Sequence, residues 1–283
     1  MAPRDQVLIT VTELAGLIDA GAPLAILDVR WRIDEPDGRP AYLEGHLPGA
    51  VYASLEDELS DHSVAGRGRH PLPSGSDLQA AARRWGVRQD SAVVVYDDWN
   101  RAGSARAWWV LTAAGLPDVR ILDGGLAAWR ASGRSLETGG VTPQSGNVTV
   151  PHDDLYAGSR PTLTSEQAGA GGVTMLDARA PERFRGDVEP LDPAAGHIPG
   201  ATNLPSTAVL DDDGTFVGGD ALTRLLAERG IRDGALGAYC GSGVTASVTV
   251  AALAAHGVEA ALFPGSWSEW CSDPGRAVAV GAE

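Results

Sequence analysis

The sequence lacks lysine, because all 22 of its basic residues are arginine. Schiff-base chemistry, a phosphate-binding P-loop and a catalytic lysine are therefore excluded. The formal net charge of −15 also argues against nucleic acid as a partner, since phosphate binding needs clustered cations. Any anion site in this chain must be built from arginine, backbone N–H groups or helix termini.

Cysteine is scarce as well, with Cys240 and Cys271 the two in 283 residues. Their spacing fits no zinc, CxxC or disulfide-framework pattern, so we expect no metal and no cofactor, and we treat Cys271 as a bystander. Long apolar runs are absent too, and the first residues do not open a signal peptide. We therefore expect no membrane partner and a cytoplasmic location.

Several short motifs recur in the same order along the chain. They are an apolar strand ending in Asp-x-Arg (residues 26–30 and 175–179), a Gly-His-x-Pro-Gly-Ala turn (45–50 and 196–201), a strand followed by an Ala-rich helix (from 93 and from 236), and a Gly-rich turn before tryptophan (123–129 and 264–270). Such ordered self-similarity indicates a tandem duplication.

Each half alternates short apolar strands with segments of helical period. This pattern predicts an α/β domain with a mainly parallel central sheet flanked by helices. Residues 137–161 are rich in Gly, Ser, Thr, Pro and Asp and lack periodicity, which is typical of a linker. We predict one domain over residues 1–136, this linker, and a second domain over 162–283.

The segment from Tyr239 to Ala246 carries the strongest chemical signal. It places Cys240 at the end of an apolar strand, before a small-residue loop and a predicted helix. Loop N–H groups and the positive end of the helix dipole would face the sulfur and favour the nucleophilic thiolate. The corresponding residue of the first half is Asp97, which cannot carry covalent sulfur chemistry. The first half is therefore predicted to be non-catalytic.

The duplication separates scaffold from chemistry, because motifs present in both halves are more often architectural. The Asp-x-Arg pairs recur and are assigned to the scaffold. The turn histidines, His46 and His197, also recur and are assigned mainly to packing. For His46 an alternative is kept open, namely that it moves a proton at Cys240.

Three further residues of the cysteine half are candidates, and the first of them, Arg183, belongs to that half alone. Arg183 suits bidentate recognition of a carboxylate, although a solvated loop arginine is an equal alternative. Ser242 is a hydroxyl two residues after the thiol, able to donate to a developing anion. Thr245 is placed as the N-cap of the following helix.

Together these residues resemble the tandem-rhodanese sulfurtransferases, which comprise thiosulfate and 3-mercaptopyruvate sulfurtransferases. The resemblance implies two tandem rhodanese-like domains with an inactive first copy. It makes Cys240 the sulfur acceptor, which becomes a persulfide, and Arg183 the arginine that holds the substrate carboxylate. It also implies that the loop around the persulfide contributes to binding, through Gly241, Gly243, Val244 and Thr245.

The resemblance extends to a proton relay of Ser, His and Asp. Ser242 and His46 match two of its members, and Asp37 is preferred to Asp34 as the third. A second substrate arginine is often found a few residues after the Arg-Phe pair, but residues 189–196 contain none. Carboxylate binding would then rest on Arg183, helped by Arg185 or by Arg101 and Arg106 of the first half.

The loop also bears on the sulfur donor. Thiosulfate-preferring members carry basic residues directly after the cysteine, whereas this chain has Gly241 and Ser242, as in the mercaptopyruvate type. The implied function is transfer of sulfane sulfur from 3-mercaptopyruvate through Cys240 to a thiol or cyanide, with release of pyruvate. The thiol acceptor would be a thioredoxin-like protein or a low-molecular-weight thiol.

Two alternatives remain open: a thiosulfate:cyanide sulfurtransferase, and a non-catalytic persulfide carrier loaded by another protein. A cysteine-dependent phosphatase of the related fold is disfavoured. That chemistry needs an arginine a few residues after the cysteine, and residues 244–247 supply none.

Overall fold

The structure, a computed structural model, describes residues 2–232 and 234–282. These residues form two compact units. Unit 1 comprises the chain up to Asp61, residues 72–160 and residues 212–215; unit 2 comprises residues 62–71, residues 161–211 and the chain from Phe216 onward. Residues 62–71 thus belong to unit 2 although they precede most of unit 1. The predicted boundaries around residues 137–161 stay a prediction.

Unit 1 contains a parallel sheet in the order β1-β5-β4-β2-β3. Its strands are β1 (Leu8–Ile9), β2 (Leu24–Asp28), β3 (Val51–Tyr52), β4 (Ala92–Tyr96) and β5 (Val119–Leu122). Its helices are α1 (Pro3–Val7), α2 (Val11–Asp19), α3 (Arg39–Glu44), α4 (Gly75–Arg84), α5 (Ala102–Ala113) and α6 (Gly125–Ala131), and a 3-10 turn covers Leu155–Ala157.

Unit 2 repeats this plan with a parallel sheet in the order β7-β6-β8-β9. Its strands are β6 (Thr174–Asp177), β7 (Thr202–Asn203), β8 (Leu236–Tyr239) and β9 (Ala260–Leu262). Its helices are α7 (Ser165–Gly169), α8 (Pro181–Arg185), α9 (Gly219–Glu228), α10 (Ala246–Ala254) and α11 (Ser266–Trp270), and a 3-10 turn covers Ser206–Val209. The strands β6, β7, β8 and β9 correspond in order to β2, β3, β4 and β5, which agrees with the predicted duplication.

Local sequence explains where the equivalent helices begin and which are buried. Thr10 and Thr164 each close a capping box at the start of α2 and α7, which satisfies N–H groups that would otherwise lack partners. Helices α5 and α10 are apolar on nearly every side and are buried along almost their whole length. Among the described residues, no helix has the length and apolar character needed to cross a bilayer.

The Asp-x-Arg motif ties the end of a strand to the turn that follows. In unit 2, Arg179 donates to Asp177 from Nε at 3.0 Å and from Nη2 at 2.6 Å, and also to the carbonyl of Gly196 at 2.7 Å. Burial raises the pKa of Tyr239, whose hydroxyl also bonds Asp177. Unit 1 repeats these contacts with Arg30, Asp28 and Gly45. The assignment of both pairs to the scaffold is confirmed.

Candidate active site

Cys240 follows β8, a central strand that pairs with β6 and β9. Its side chain is buried, with the residue 2% exposed. The sulfur accepts a hydrogen bond from the Gly243 N–H at 3.1 Å, and the Cys240 N–H donates to Ser266 Oγ at 3.1 Å. The thiol thus lies at the carboxyl end of a buried parallel strand, where α/β sheets place their chemistry.

Gly243 allows the loop to fold back over the sulfur. Its φ of +78° lies in the left-handed region, and a β-carbon there would lie 2.4 Å from the carbonyl oxygen of Pro264. Both features require glycine, as the sequence indicated. Val244 is buried next in the loop. Thr245 occupies the N-cap position of α10, but its side chain makes no capping hydrogen bond.

The turn into α11 holds the cysteine loop from the other side. The N–H of Trp267 donates to the Cys240 carbonyl at 3.0 Å, and the N–H of Ser268 donates to the Gly241 carbonyl at 2.9 Å. Ser266 itself has a φ of +53°, where its counterpart in unit 1 is Gly125 with +55°. Strain at a non-glycine residue is typical of functional positions. The sequence comparison of the two halves contained this Ser-for-Gly difference, but the role of Ser266 was missed.

A histidine that the sequence analysis missed lies beside the loop. His70 is buried, and its Nδ1 lies 2.7 Å from Ser242 Oγ. It is held there by the neighbouring backbone: the Arg69 N–H donates to Ser268 Oγ at 2.9 Å, and Gly68, at φ +82°, packs on Gly265. His70 lies outside the repeated motifs, in a segment without helix or strand, so the comparison of the two halves gave no signal for it.

His46 lies in unit 1 and is fully buried. Its Nδ1 lies 2.9 Å from the carbonyl of Leu47, its Nε2 lies 3.0 Å from the carbonyl of Gly139, and its ring stacks on Tyr42. The packing role assigned to the turn histidines describes this environment. A catalytic role for His46 has no supporting contact among these.

The other two site residues predicted from the first half also lie in unit 1. Asp37 accepts a hydrogen bond from the Arg39 N–H at 3.0 Å. Arg106 is buried on α5, and its Nη2 donates to the carbonyl of Leu59 at 3.1 Å. Within unit 2 the structure brings together Cys240 with its loop, Ser242, His70 and Arg183.

Arg183 lies on α8 and is paired with two acidic residues. Its Nη2 lies 2.6 Å from Glu189 and 3.3 Å from Asp192. Arg69 donates to the same Asp192 carboxylate, at 2.9 Å from Nη1 and 3.3 Å from Nη2. A β-carbon built at Gly241 would lie 3.3 Å from Arg69 Nη2 and 3.5 Å from Arg183 Nη1. Both guanidinium groups therefore face the residue that follows the cysteine.

The equivalent loop of unit 1 is filled by its own side chains. Asp97 accepts hydrogen bonds from the N–H and the hydroxyl of Ser104, at 3.0 and 2.7 Å, and pairs with Arg101 at 3.0 Å. Its carbonyl accepts from the N–H of Leu126 at 3.0 Å, just as the Cys240 carbonyl accepts from Trp267. The scaffold is thus conserved between the two copies, while the carboxylate occupies the position of the thiol.

Comparison with known proteins places this arrangement in a family. The model of the rhodanese-like domain matches residues 10–132 and 161–273. A putative thiosulfate sulfurtransferase of Mycobacterium tuberculosis is 72% identical over 99% of both chains. A probable 3-mercaptopyruvate sulfurtransferase of Pseudomonas aeruginosa is 44% identical over 97% of this chain and 98% of its own.

Solved structures agree with the sequence comparisons. The crystal structure of the 3-mercaptopyruvate sulfotransferase SseA from Escherichia coli superimposes with a TM-score of 0.80 at 33% identity, covering 92% of this chain and 98% of that one. The Tum1 protein of Saccharomyces cerevisiae shares the fold, with a TM-score of 0.86 at 23% identity over 98% of both chains. The predicted fold class is confirmed. The chain belongs to the rhodanese-like domain family and is a tandem-rhodanese sulfurtransferase.

Proposed function

We propose that the protein moves sulfane sulfur from 3-mercaptopyruvate through a Cys240 persulfide to a thiol or to cyanide, with release of pyruvate. The observation that carries this proposal is the position of the Cys240 sulfur. It accepts the Gly243 N–H at 3.1 Å and lies one residue from Gly241, which two guanidinium groups face. A nucleophile thus lies beside groups suited to the carboxylate of a keto acid.

In the first half-reaction the Cys240 thiolate attacks the sulfur of 3-mercaptopyruvate. The new S–S bond forms as the C–S bond breaks, and its electron pair leaves on carbon as the enolate of pyruvate. Protonation of that carbon gives pyruvate. The loop N–H groups stabilise the sulfur anion, and one such preorganised donor contributes about 3–4 kcal/mol when it acts like an oxyanion-hole donor.

We assign the proton transfer to Ser242 and His70 rather than to His46. The 2.7 Å contact between Ser242 Oγ and His70 Nδ1 supports this assignment, because it links an imidazole to a hydroxyl two residues from the thiol. His46 has its ring nitrogens beside two backbone carbonyls of unit 1. We expect His70→Ala to slow pyruvate release by about 10²–10⁴-fold. His46→Ala as the larger loss would overturn the assignment.

In the second half-reaction an acceptor thiolate attacks the outer sulfur of the persulfide and regenerates the Cys240 thiolate. Two half-reactions sharing one covalent intermediate give ping-pong kinetics. We propose a thioredoxin-like protein or a low-molecular-weight thiol as the acceptor, and the cytoplasm as the compartment. When donor and acceptor concentrations are varied, double-reciprocal plots of the initial rate should give parallel lines. Intersecting lines would contradict a ping-pong mechanism.

Thiosulfate is the alternative donor, favoured by the name of the relative that is 72% identical. Thiosulfate is a dianion with no carboxylate and leaves as sulfite. The test is the ratio of kcat/KM for the two donors, measured with one acceptor. We expect mercaptopyruvate to be preferred, and Arg183→Ala to reduce its kcat/KM more than that of thiosulfate. A higher kcat/KM for thiosulfate would mean that thiosulfate is the donor, while the proposal of a persulfide on Cys240 would stand.

A further inference from the structure

Arg69 is a cation beside the cysteine loop that no motif predicted. It belongs to unit 2, in the segment 62–71, and its Nη2 would lie 3.3 Å from a β-carbon at Gly241. Arg183 Nη1 faces the same position at 3.5 Å. We propose that Arg69 is the second guanidinium that binds the carboxylate of the sulfur donor, with Asp192 as the residue that positions it. This inference rests on the function proposed above.

The acidic partners occupy only part of each guanidinium. Arg183 uses Nε and Nη2 for Glu189 and Asp192, while its Nη1 has no hydrogen-bond partner among residues 2–232 and 234–282. Arg69 uses Nη1 and Nη2 for Asp192, and its buried Nε has no partner within the same described residues. The unpaired Nε of Arg69 is buried, and a buried donor without a partner is rare unless a ligand or water completes it.

Asp192 holds the two cations together. Its carboxylate accepts from Arg69 at 2.9 Å and lies 3.3 Å from Arg183, and its side chain is 4% exposed. Two adjacent guanidinium groups repel each other, so a buried carboxylate between them is needed to keep both at one place. It orients the pair, so that Arg183 Nη1 and the second N–H of Arg69 Nη2 remain for a ligand near Gly241.

The absence of a side chain at Gly241 fits a ligand in this space. A β-carbon there would contact Arg69 Nη2 at 3.3 Å, which is tight, and the Arg183 nitrogens at 3.5 and 3.7 Å, which is ordinary contact. Alanine would therefore be accommodated with a small shift of one side chain, but it would occupy the space that a carboxylate needs. We expect Gly241→Ala to raise KM for mercaptopyruvate while both arginines remain.

The proposal also accounts for residues 189–196, which contain no arginine. This stretch supplies Glu189 and Asp192 instead. Asp192 pairs with Arg69, so the second positive charge at the site comes from residues 62–71, another segment of unit 2. The ligand class is a small 2-keto carboxylate, because a planar carboxylate matches the guanidinium fork.

Steady-state kinetics with 3-mercaptopyruvate test the proposal. Arg69→Ala should raise KM about 10- to 100-fold with kcat changed less than about 3-fold, and Arg69→Lys should recover only part of the loss because it keeps the charge but not the fork. Asp192→Asn should also raise KM, and Arg69→Ala combined with Asp192→Asn should add little to Arg69→Ala alone. Arg224→Ala is the matched control, since Arg224 is an exposed arginine on α9 of the same unit, and it should leave KM unchanged.

The sign of the Asp192→Asn effect is decisive. If Asp192 merely neutralises the two arginines, its removal frees two cations and KM falls; that result, or an unchanged KM in Arg69→Ala, overturns the proposal. Pyruvate binding, measured by calorimetry on the same variants, needs no sulfur transfer. If pyruvate affinity depends on Arg69, the carboxylate site is supported. This holds even if mercaptopyruvate leaves no sulfur on Cys240, because the missing sulfur would refute only the proposed function. Pyruvate affinity that does not depend on Arg69 refutes the carboxylate site.

Discussion

Replacement of Gly243 by alanine tests whether the loop N–H that reaches the sulfur contributes to catalysis. The residue has a φ of +78°, and the new β-carbon would lie 2.4 Å from the carbonyl oxygen of Pro264. An L-residue in the left-handed region costs about 1–2 kcal/mol. The clash must be relieved in addition by moving either the loop or the Pro264 carbonyl by about 1 Å, since ordinary contact begins near 3.4 Å.

Movement of the loop displaces the N–H that now lies 3.1 Å from the Cys240 sulfur. If this donor acts like one oxyanion-hole donor, its loss slows sulfur transfer about 10²–10³-fold, or about 3–4 kcal/mol. The assay is single-turnover persulfide formation, followed by intact mass at timed intervals with saturating mercaptopyruvate. Thermal unfolding of the same samples gives the cost in stability.

Gly200→Ala is the matched control for this experiment. Gly200 also lies in unit 2, has a φ of +80°, and would place its β-carbon in open space. In both variants the left-handed backbone should lower the free energy of unfolding by about 1–2 kcal/mol. Only Gly243→Ala should also slow persulfide formation. If Gly243→Ala forms the persulfide within about threefold of the unsubstituted rate, the loop N–H does not stabilise the sulfur and the reasoning fails.

Three further predictions concern His70, Tyr239 and Cys271. His70→Asn should lower kcat for pyruvate release and flatten its pH profile, while single-turnover mass analysis still finds sulfur on Cys240; an unchanged profile would remove the imidazole from the proton path. Tyr239→Phe should cost about 1–3 kcal/mol in chemical unfolding, because it leaves the buried Ile198 N–H unpaired. Since burial raises the pKa of Tyr239 well above its ordinary value, its stabilisation is present below about pH 10 and lost as pH rises further, so the variant should show the shallower alkaline decline. Burial, aided by the nearby Asp192 carboxylate, raises the pKa of the Cys271 thiol, so brief iodoacetamide treatment at neutral pH should label Cys240 and spare Cys271 in peptide mapping.

The fold and the position of the candidate nucleophile at the end of a strand could be predicted from the sequence, because both depend on local patterns. Apolar strands, capped helices and the small-residue loop around Cys240 are each written in a few consecutive residues. Comparison of the two halves then distinguished the strand end that carries the thiol of Cys240 from the strand end that carries Asp97. The same comparison sorted the Asp-x-Arg pairs as scaffold, and their hydrogen bonds bear this out.

The residues that were missed come from distant segments. His70 and Arg69 lie in a segment without helix or strand, and they contact Ser242 and Asp192, which follow them by 172 and 123 residues. No periodicity encodes such a contact, since it depends on the path of the loop and on anchors such as Ser268 Oγ. His46 drew attention instead because it stands in a conspicuous repeated turn.

The most direct test of the central claim is the intact mass of the protein after incubation with 3-mercaptopyruvate and removal of excess donor. The account predicts a gain of one sulfur atom, its loss on addition of a thiol or cyanide, and no gain in Cys240→Ser. Absence of the added sulfur in the unsubstituted protein, or its persistence in Cys240→Ser, would contradict a persulfide on Cys240.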